Sequence, residues 1–77
     1  MMTPSQCKMA RAGLGWSAAD LGAKAGLARE TVTRYESGST IAPSTIKAMR
    51  GALEAAGADF LQISDKVGVA VPGAFQQ

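Results

Sequence analysis

The residues from Ser17 to Ser37, SAADLGAKAGLARETVTRYES, constrain the fold of this chain more than any other stretch. They read as two short helices joined by a glycine-containing turn. Ser17 is placed to cap the first helix, and Asp20, three positions on, to return a hydrogen bond to the Ser17 amide. Trp16 and Leu21 flank that cap at the spacing of a hydrophobic staple. Gly26 adopts the left-handed conformation at low cost, which ends the helix after Ala25. A second helix is expected from near Ala28 to about Glu36.

At about 100° per residue, Ala28, Val32 and Tyr35 fall on one narrow stripe of the second helix. Arg29, Glu30, Thr33 and Arg34 fall on the other side, so one face is set to be buried and four hydrogen-bonding side chains to be displayed. These types match the edges of base pairs in a major groove. Arginine grips guanine O6 and N7 with two bonds, glutamate accepts from cytosine N4, and threonine offers a hydroxyl and a methyl. An isolated polar face is more simply a solvated one. The helix–glycine turn–helix setting favours base reading instead. Tyr35 shares the phase of Val32, which makes it a core residue rather than a stacking one.

Upstream, Thr3-Pro4-Ser5-Gln6 opens a first helix: Thr3 as cap, Pro4 where its missing N–H costs nothing, and Gln6 closing a capping box. Cys7, Ala10 and Leu14 then share a face, and Gly13 and Gly15 are expected to break the helix before Trp16. Lys8 and Arg11 lie off that face, either near a phosphate backbone or simply solvated. Cys7 reads as a small buried hydrophobe rather than a redox sensor. Downstream, Ser37-Gly38-Ser39-Thr40-Ile41-Ala42-Pro43 is a turn-rich connection whose amides are expected to be exposed. Ser44 is expected to cap a helix through about Ala56, with Ile46, Met49 and Leu53 facing inward. Gly51 within it marks either tight packing or a weak helix. After Gly57, the runs 60–64 and 67–71 are β-rich and separated by Asp65-Lys66, which predicts a hairpin. Leu61 and Ile63 share one face; so do Val67, Val69 and Val71.

These residues resemble the Cro/CI-type (lambda-repressor-like, XRE) helix-turn-helix regulators of bacteria and phages. Leu21, Ala25-Gly26-Leu27, Arg29, Thr31-Val32-Thr33-Arg34-Tyr35-Glu36 and Gly38 carry the resemblance. The phrases LGWS and ALEAAGADF are close to a small single-domain branch of the family. The resemblance implies a mainly α, four-helix fold, to which the residues after Gly57 add a short C-terminal β-hairpin or strand pair. It also implies a sequence-specific regulator of transcription, expected to be a repressor, that binds double-stranded DNA at a pseudo-palindromic operator. The helix at about 28–36 would enter the major groove with Arg29, Glu30, Thr33 and Arg34 reading bases. The DNA backbone would be held by Ser17, Ser37 and Ser39, and by Ser44, Thr45 and Lys47 at the start of the fourth helix, where free N–H groups and the helix dipole favour an anion. Arg50, one turn on, is a weaker candidate. Two positions depart from the family pattern. Ala18 stands where a phosphate-contacting glutamine is usual, and Ala28 stands where serine or threonine usually caps the recognition helix, loosening its start by about 1 kcal/mol.

Seventy-seven residues make one small domain, in which a single core is thin and burial against a second copy helps. Residues 1–57 are expected to form the helix-turn-helix domain, 58–72 its β extension and 73–77 a frayed tail. A homodimer is expected through Leu61, Ile63, Val67, Val69 and Val71, the largest apolar set that the helical core leaves unassigned; the other arrangement open to these strands is a hairpin folded over the chain's own helices. The alternative is an antitoxin-like module that grips a partner protein through this segment and regulates its own gene by binding DNA. The net charge of +2 is compatible with nucleic acid without demanding it. One cysteine and no histidine leave neither an internal disulfide nor a metal-ligand cluster, so no cofactor or metal is expected. No nucleophile–base motif or phosphate-binding glycine loop suggests an enzyme. No apolar run approaches membrane-spanning length and no signal pattern opens the chain, so a cytoplasmic location is expected.

Overall fold

The computed structural model of the chain describes residues 2–73. Four helices come first: α1 (Pro4–Leu14), α2 (Ala18–Ala25), α3 (Arg29–Glu36) and α4 (Pro43–Ala55). A two-stranded antiparallel hairpin follows, β1 (Asp59–Ile63) and β2 (Lys66–Ala70). The mainly helical architecture with a C-terminal hairpin is the one the sequence predicts. Within the expected tail, residues 74–77 lie outside the described residues.

The helix starts follow local chemistry. Thr3 caps α1 through a reciprocal capping box with Gln6, and Ser17 does the same for α2 with Asp20. Gly15 and Gly26, both in the left-handed region, close these two helices. Gly13 does not break α1. It lies inside the helix, where an added Cβ would come within 2.9 Å of the Val71 methyls, so its smallness serves packing. Ser44 does not cap α4. The cap is Ala42, whose carbonyl accepts from Thr45 N and Ile46 N, and Pro43 takes the first helical position, where its fixed φ is pre-organised.

The core draws on every helix. Cys7, Ala10 and Leu14 of α1, Leu21 of α2, Val32 and Tyr35 of α3, and Met49 and Leu53 of α4 are buried together. Trp16, Leu27 and Ile46 pack around them half-buried. Ala28, expected on the buried stripe, is instead the exposed N-cap of α3, and Leu27 fills the inward position just before it. Met2 and Ala58 complete the core from outside the helices. The Tyr35 hydroxyl donates to the Met2 carbonyl at 2.9 Å, which pins the N-terminal segment.

The hairpin turns on Ser64-Asp65, one residue earlier than expected, because Lys66 pairs with Ile63. Ser64 has a φ of 61°, the positive value that a II′-type turn requires at its first central residue. Phe60 pairs with Val69, and Gln62 with Val67. Phe60, Val69 and Val71 pack on the core, so this is the inner face. β2 is the strand that lies against α1. Gln6, itself buried, fixes the hairpin from below: its side-chain amide donates to the carbonyls of Leu61 (3.1 Å) and Gly68 (3.0 Å), which form one cross-strand pair.

Candidate nucleic-acid interface

The second helix of the 17–37 unit is held against the rest of the domain by two devices that lie far apart in the sequence. The first is Gly22, buried in α2. Its carbonyl accepts from Leu27 N at 2.7 Å, and a Cβ built on it would lie 2.7 Å from the Leu27 carbonyl oxygen. Only a residue without a side chain lets the chain entering α3 pass this close. The second is an ion pair between Arg11 of α1 and Glu36 at the end of α3. Nε and Nη2 of Arg11 donate to the two carboxylate oxygens, each at 2.7 Å, while Nη1 donates to the Trp16 carbonyl at 3.0 Å. With side chains only 15% and 9% exposed, this two-bond pair fastens both ends of the unit to α1. Burial works against the Glu36 charge, but hydrogen bonds from Arg11 and Cys7 hold its carboxyl below the usual range. Burial, reinforced by the same carboxylate, pushes the Cys7 thiol up to about 12, so Cys7 is a neutral core residue.

Held in this way, α3 presents Arg29, Glu30, Thr33 and Arg34 to solvent, while Val32 and Tyr35 are buried behind them. The four polar residues form one displayed face. Arg29 and Glu30 lie side by side, 3.6 Å apart and largely exposed, a contact too solvated to lock either one. The Thr33 hydroxyl donates to the Arg29 carbonyl at 3.2 Å, leaving its oxygen and methyl outward. Among the described residues, no hydrogen bond or ion pair restrains the Arg34 side chain.

The expected backbone-holding residues flank this face with different freedoms. The Ser17 hydroxyl oxygen accepts from Asp20 N, and the Ser17 amide donates to the Asp20 carboxylate, so the capping box engages this residue closely. Those bonds, backbone first, hold the Asp20 carboxyl below its ordinary value. Of the loop after α3, expected to expose its amides, the first three are used by the chain itself. Ser37 N, Gly38 N and Ser39 N donate to Thr33, Tyr35 and Arg34 carbonyls and close the helix, which leaves the Ser37 and Ser39 hydroxyls outward. Ser44 and Lys47 are exposed and Thr45 half-buried at the start of α4, which has no side-chain cap to occupy its first amides. Arg50 is turned away, 3.0 Å from Glu54 and 4.8 Å over the Phe60 ring. Lys8 is exposed, whereas Arg11, its companion in the sequence reading, belongs to the Glu36 clamp.

The residues expected at a dimer interface divide between the two faces of the hairpin. Val69 and Val71 pack on this chain's own core, with Val67 half-buried on the same face. Leu61 and Ile63 point outward, 43% and 71% exposed.

Arg11, Gly22, Glu36 and Gln6 are the positioning residues that the sequence reading did not assign. In the sequence Gln6 is legible only as a cap. The Arg11–Glu36 partners stand 25 residues apart and carry no local signal of their pairing.

A protein-family model described as helix-turn-helix matches residues 8–56, more than half of the chain. The chain belongs to this family, the Cro/CI-type helix-turn-helix regulators. No curated protein matches it. The matched segment runs from α1 through α4 and contains Gly22, the Arg11–Glu36 clamp and the whole displayed face of α3. As a helix-turn-helix regulator the protein binds double-stranded DNA and acts on transcription. Among the described residues, no helix is long and apolar enough to cross a membrane.

Proposed function

We propose that this helix-turn-helix protein is a sequence-specific repressor that binds a pseudo-palindromic operator as a homodimer. In this reading α3 lies in the major groove, with Arg29, Glu30, Thr33 and Arg34 at base edges. Ser17, Ser37, Ser39, Ser44, Thr45 and Lys47 meet the phosphates on either side and set the register. The observation that carries it is the displayed face of α3. Four polar side chains stand exposed and weakly restrained on a helix whose other side is locked by Gly22 and by the Arg11–Glu36 pair. A rigid helix with adaptable tips suits a groove. A domain of this size that occupies an operator acts most simply by excluding other proteins from it, which is repression.

Thr33 reads through its methyl and its acceptor oxygen, because its hydrogen is committed to the Arg29 carbonyl. Lys47 acts as a point charge on phosphate. The two roles separate in one experiment: selection of bound sequences from a random DNA pool, followed by binding measurements on variants. Arg34→Ala should lose about 1–3 kcal/mol on the selected site and relax preference at one position. Lys47→Ala should weaken binding to all sequences and reduce the salt slope by about one unit. If Arg29→Ala and Arg34→Ala both kept wild-type affinity and preference, the base-reading assignment would be wrong.

The outward Leu61 and Ile63 suit a second reading, in which the hairpin grips a different protein as an antitoxin does. Stable co-purification of a second polypeptide, lost on changing Ile63 to Lys, would favour that reading.

A further inference from the structure

Among the described residues, the hairpin has an outer edge with no strand paired to it. With a two-residue turn, Ile63 and Lys66 form a hydrogen-bonded pair, and the pattern repeats at Leu61–Gly68 and Asp59–Ala70. The remaining β1 residues, Phe60 and Gln62, therefore direct their N–H and C=O groups out of the ribbon. β2 runs against α1, and β1 is the outer strand. An open edge of this kind is a template for another strand.

We propose that β1 pairs antiparallel with β1 of a second copy about a two-fold axis through Leu61, joining the two hairpins into one four-stranded sheet. This rests on the dimeric reading above and adds its register. Among the two-fold arrangements, it opposes Phe60 to Gln62 of the partner and Gln62 to Phe60 of the partner, so both outward residues of each strand are hydrogen-bonded. Leu61 then meets Leu61 of the partner across a non-hydrogen-bonded pair, where side chains approach most closely. Ile63 falls opposite Asp59 of the partner, and Lys66, beside Ile63, comes within a lysine's reach of that carboxylate, roughly 10 Å away across two strands. Lys66 already lies 3.6 Å from Asp65 of its own turn, so this exposed charge contact adds little and the strand-to-strand backbone bonds carry the pairing. The two outward hydrophobics come together on the face that a single copy leaves wet, and the inner face keeps its packing on the helices.

Cysteine crosslinking on the full chain tests this register. Leu61→Cys places two thiols on the axis with Cα atoms about 4.5 Å apart, within disulfide range. Ile63→Cys places them more than about 13 Å apart, four residues along the strand, out of range. Both positions are exposed and Cys7 is buried, so neither folding nor the native thiol interferes. Under mild oxidation, Leu61→Cys should give a reducible covalent dimer about tenfold faster than Ile63→Cys, although Ile63 is the more exposed position. Linking of Ile63→Cys at an equal or greater rate would overturn the register. If neither variant linked while the native chain sedimented as a dimer, edge pairing would fall and the dimeric regulator would stand. A native chain that stays monomeric and binds its selected DNA as a single copy would overturn both.

Discussion

Replacing Gly22 with alanine should destabilise the domain, whereas the same replacement at Gly51 should stabilise it. Both glycines lie inside helices, where alanine is intrinsically favoured by about 1 kcal/mol. At Gly51 nothing lies within 4 Å of the new Cβ, so that preference acts alone. At Gly22 the Cβ meets the Leu27 carbonyl oxygen at 2.7 Å, and restoring ordinary contact at 3.4 Å needs a movement of about 0.7 Å. The obstacle is backbone, and Ala28 and Arg29 backbone atoms stand behind it at 3.4 Å, so no side chain can rotate away. The movement must be taken up by the chain entering α3. Overpacking costs about 1–3 kcal/mol, and against backbone that cannot rotate away it falls in the upper part of that range, which outweighs the helical gain and shifts the recognition helix as well. In a domain of this size 1 kcal/mol is about 4–8 °C in Tm. Calorimetry should therefore show Gly51→Ala melting about 4–8 °C above wild type and Gly22→Ala melting below it, with weaker operator binding measured well under the transition. Equal stabilisation by the two substitutions would refute the close approach of α2 to the start of α3.

Val32→Asp should abolish the cooperative melt, because an unpaired carboxylate at a fully buried site costs about 3 kcal/mol or more against a thin margin; a wild-type-like transition would mean that the phase of α3 is wrong. Glu36→Gln should cost about 1–3 kcal/mol at neutral pH by leaving Arg11 half-satisfied. Folding lowers the Glu36 pKa, so its contribution is full above the unfolded value of 4.5 and fades as pH falls through the folded one. Urea midpoints across that range should drop for wild type and stay flatter for Glu36→Gln. On the alkaline side the sign reverses. The raised Cys7 pKa favours the neutral thiol, so that stability is full below 9.0 and lost as pH climbs toward 12, a loss that Cys7→Ala should reduce in the same titration. Ser64→Gly should stabilise the hairpin by about 1 kcal/mol, since glycine holds a positive φ without the strain a Cβ adds; urea denaturation reads the gain.

The sequence by itself determined what short-range chemistry can specify. Thr3 with Gln6 and Ser17 with Asp20 cap their helices because each box closes within three residues. Gly15, Gly26 and Gly57 adopt the positive φ that ends a helix, and Val32 and Tyr35 fall inward by periodicity alone. The displayed face of α3 was legible for the same reason, since a helix that commits one side to the core shows the other. Tertiary structure decided the contacts between residues with no local relationship. Gln6 reaches across 55 and 62 residues to two hairpin carbonyls, a role that its capping box conceals. Arg11 is a clamp rather than a phosphate ligand because folding brings Glu36 within 2.7 Å of it. The strand pattern marked Val67, Val69 and Val71 as apolar but could not tell which face would meet the helices. Val71 sits against Gly13, where a Cβ has no room, and this sets the inner face of the hairpin and leaves Leu61 and Ile63 outside. Periodicity specifies that a face exists; only the partner that packs on it determines which way it points.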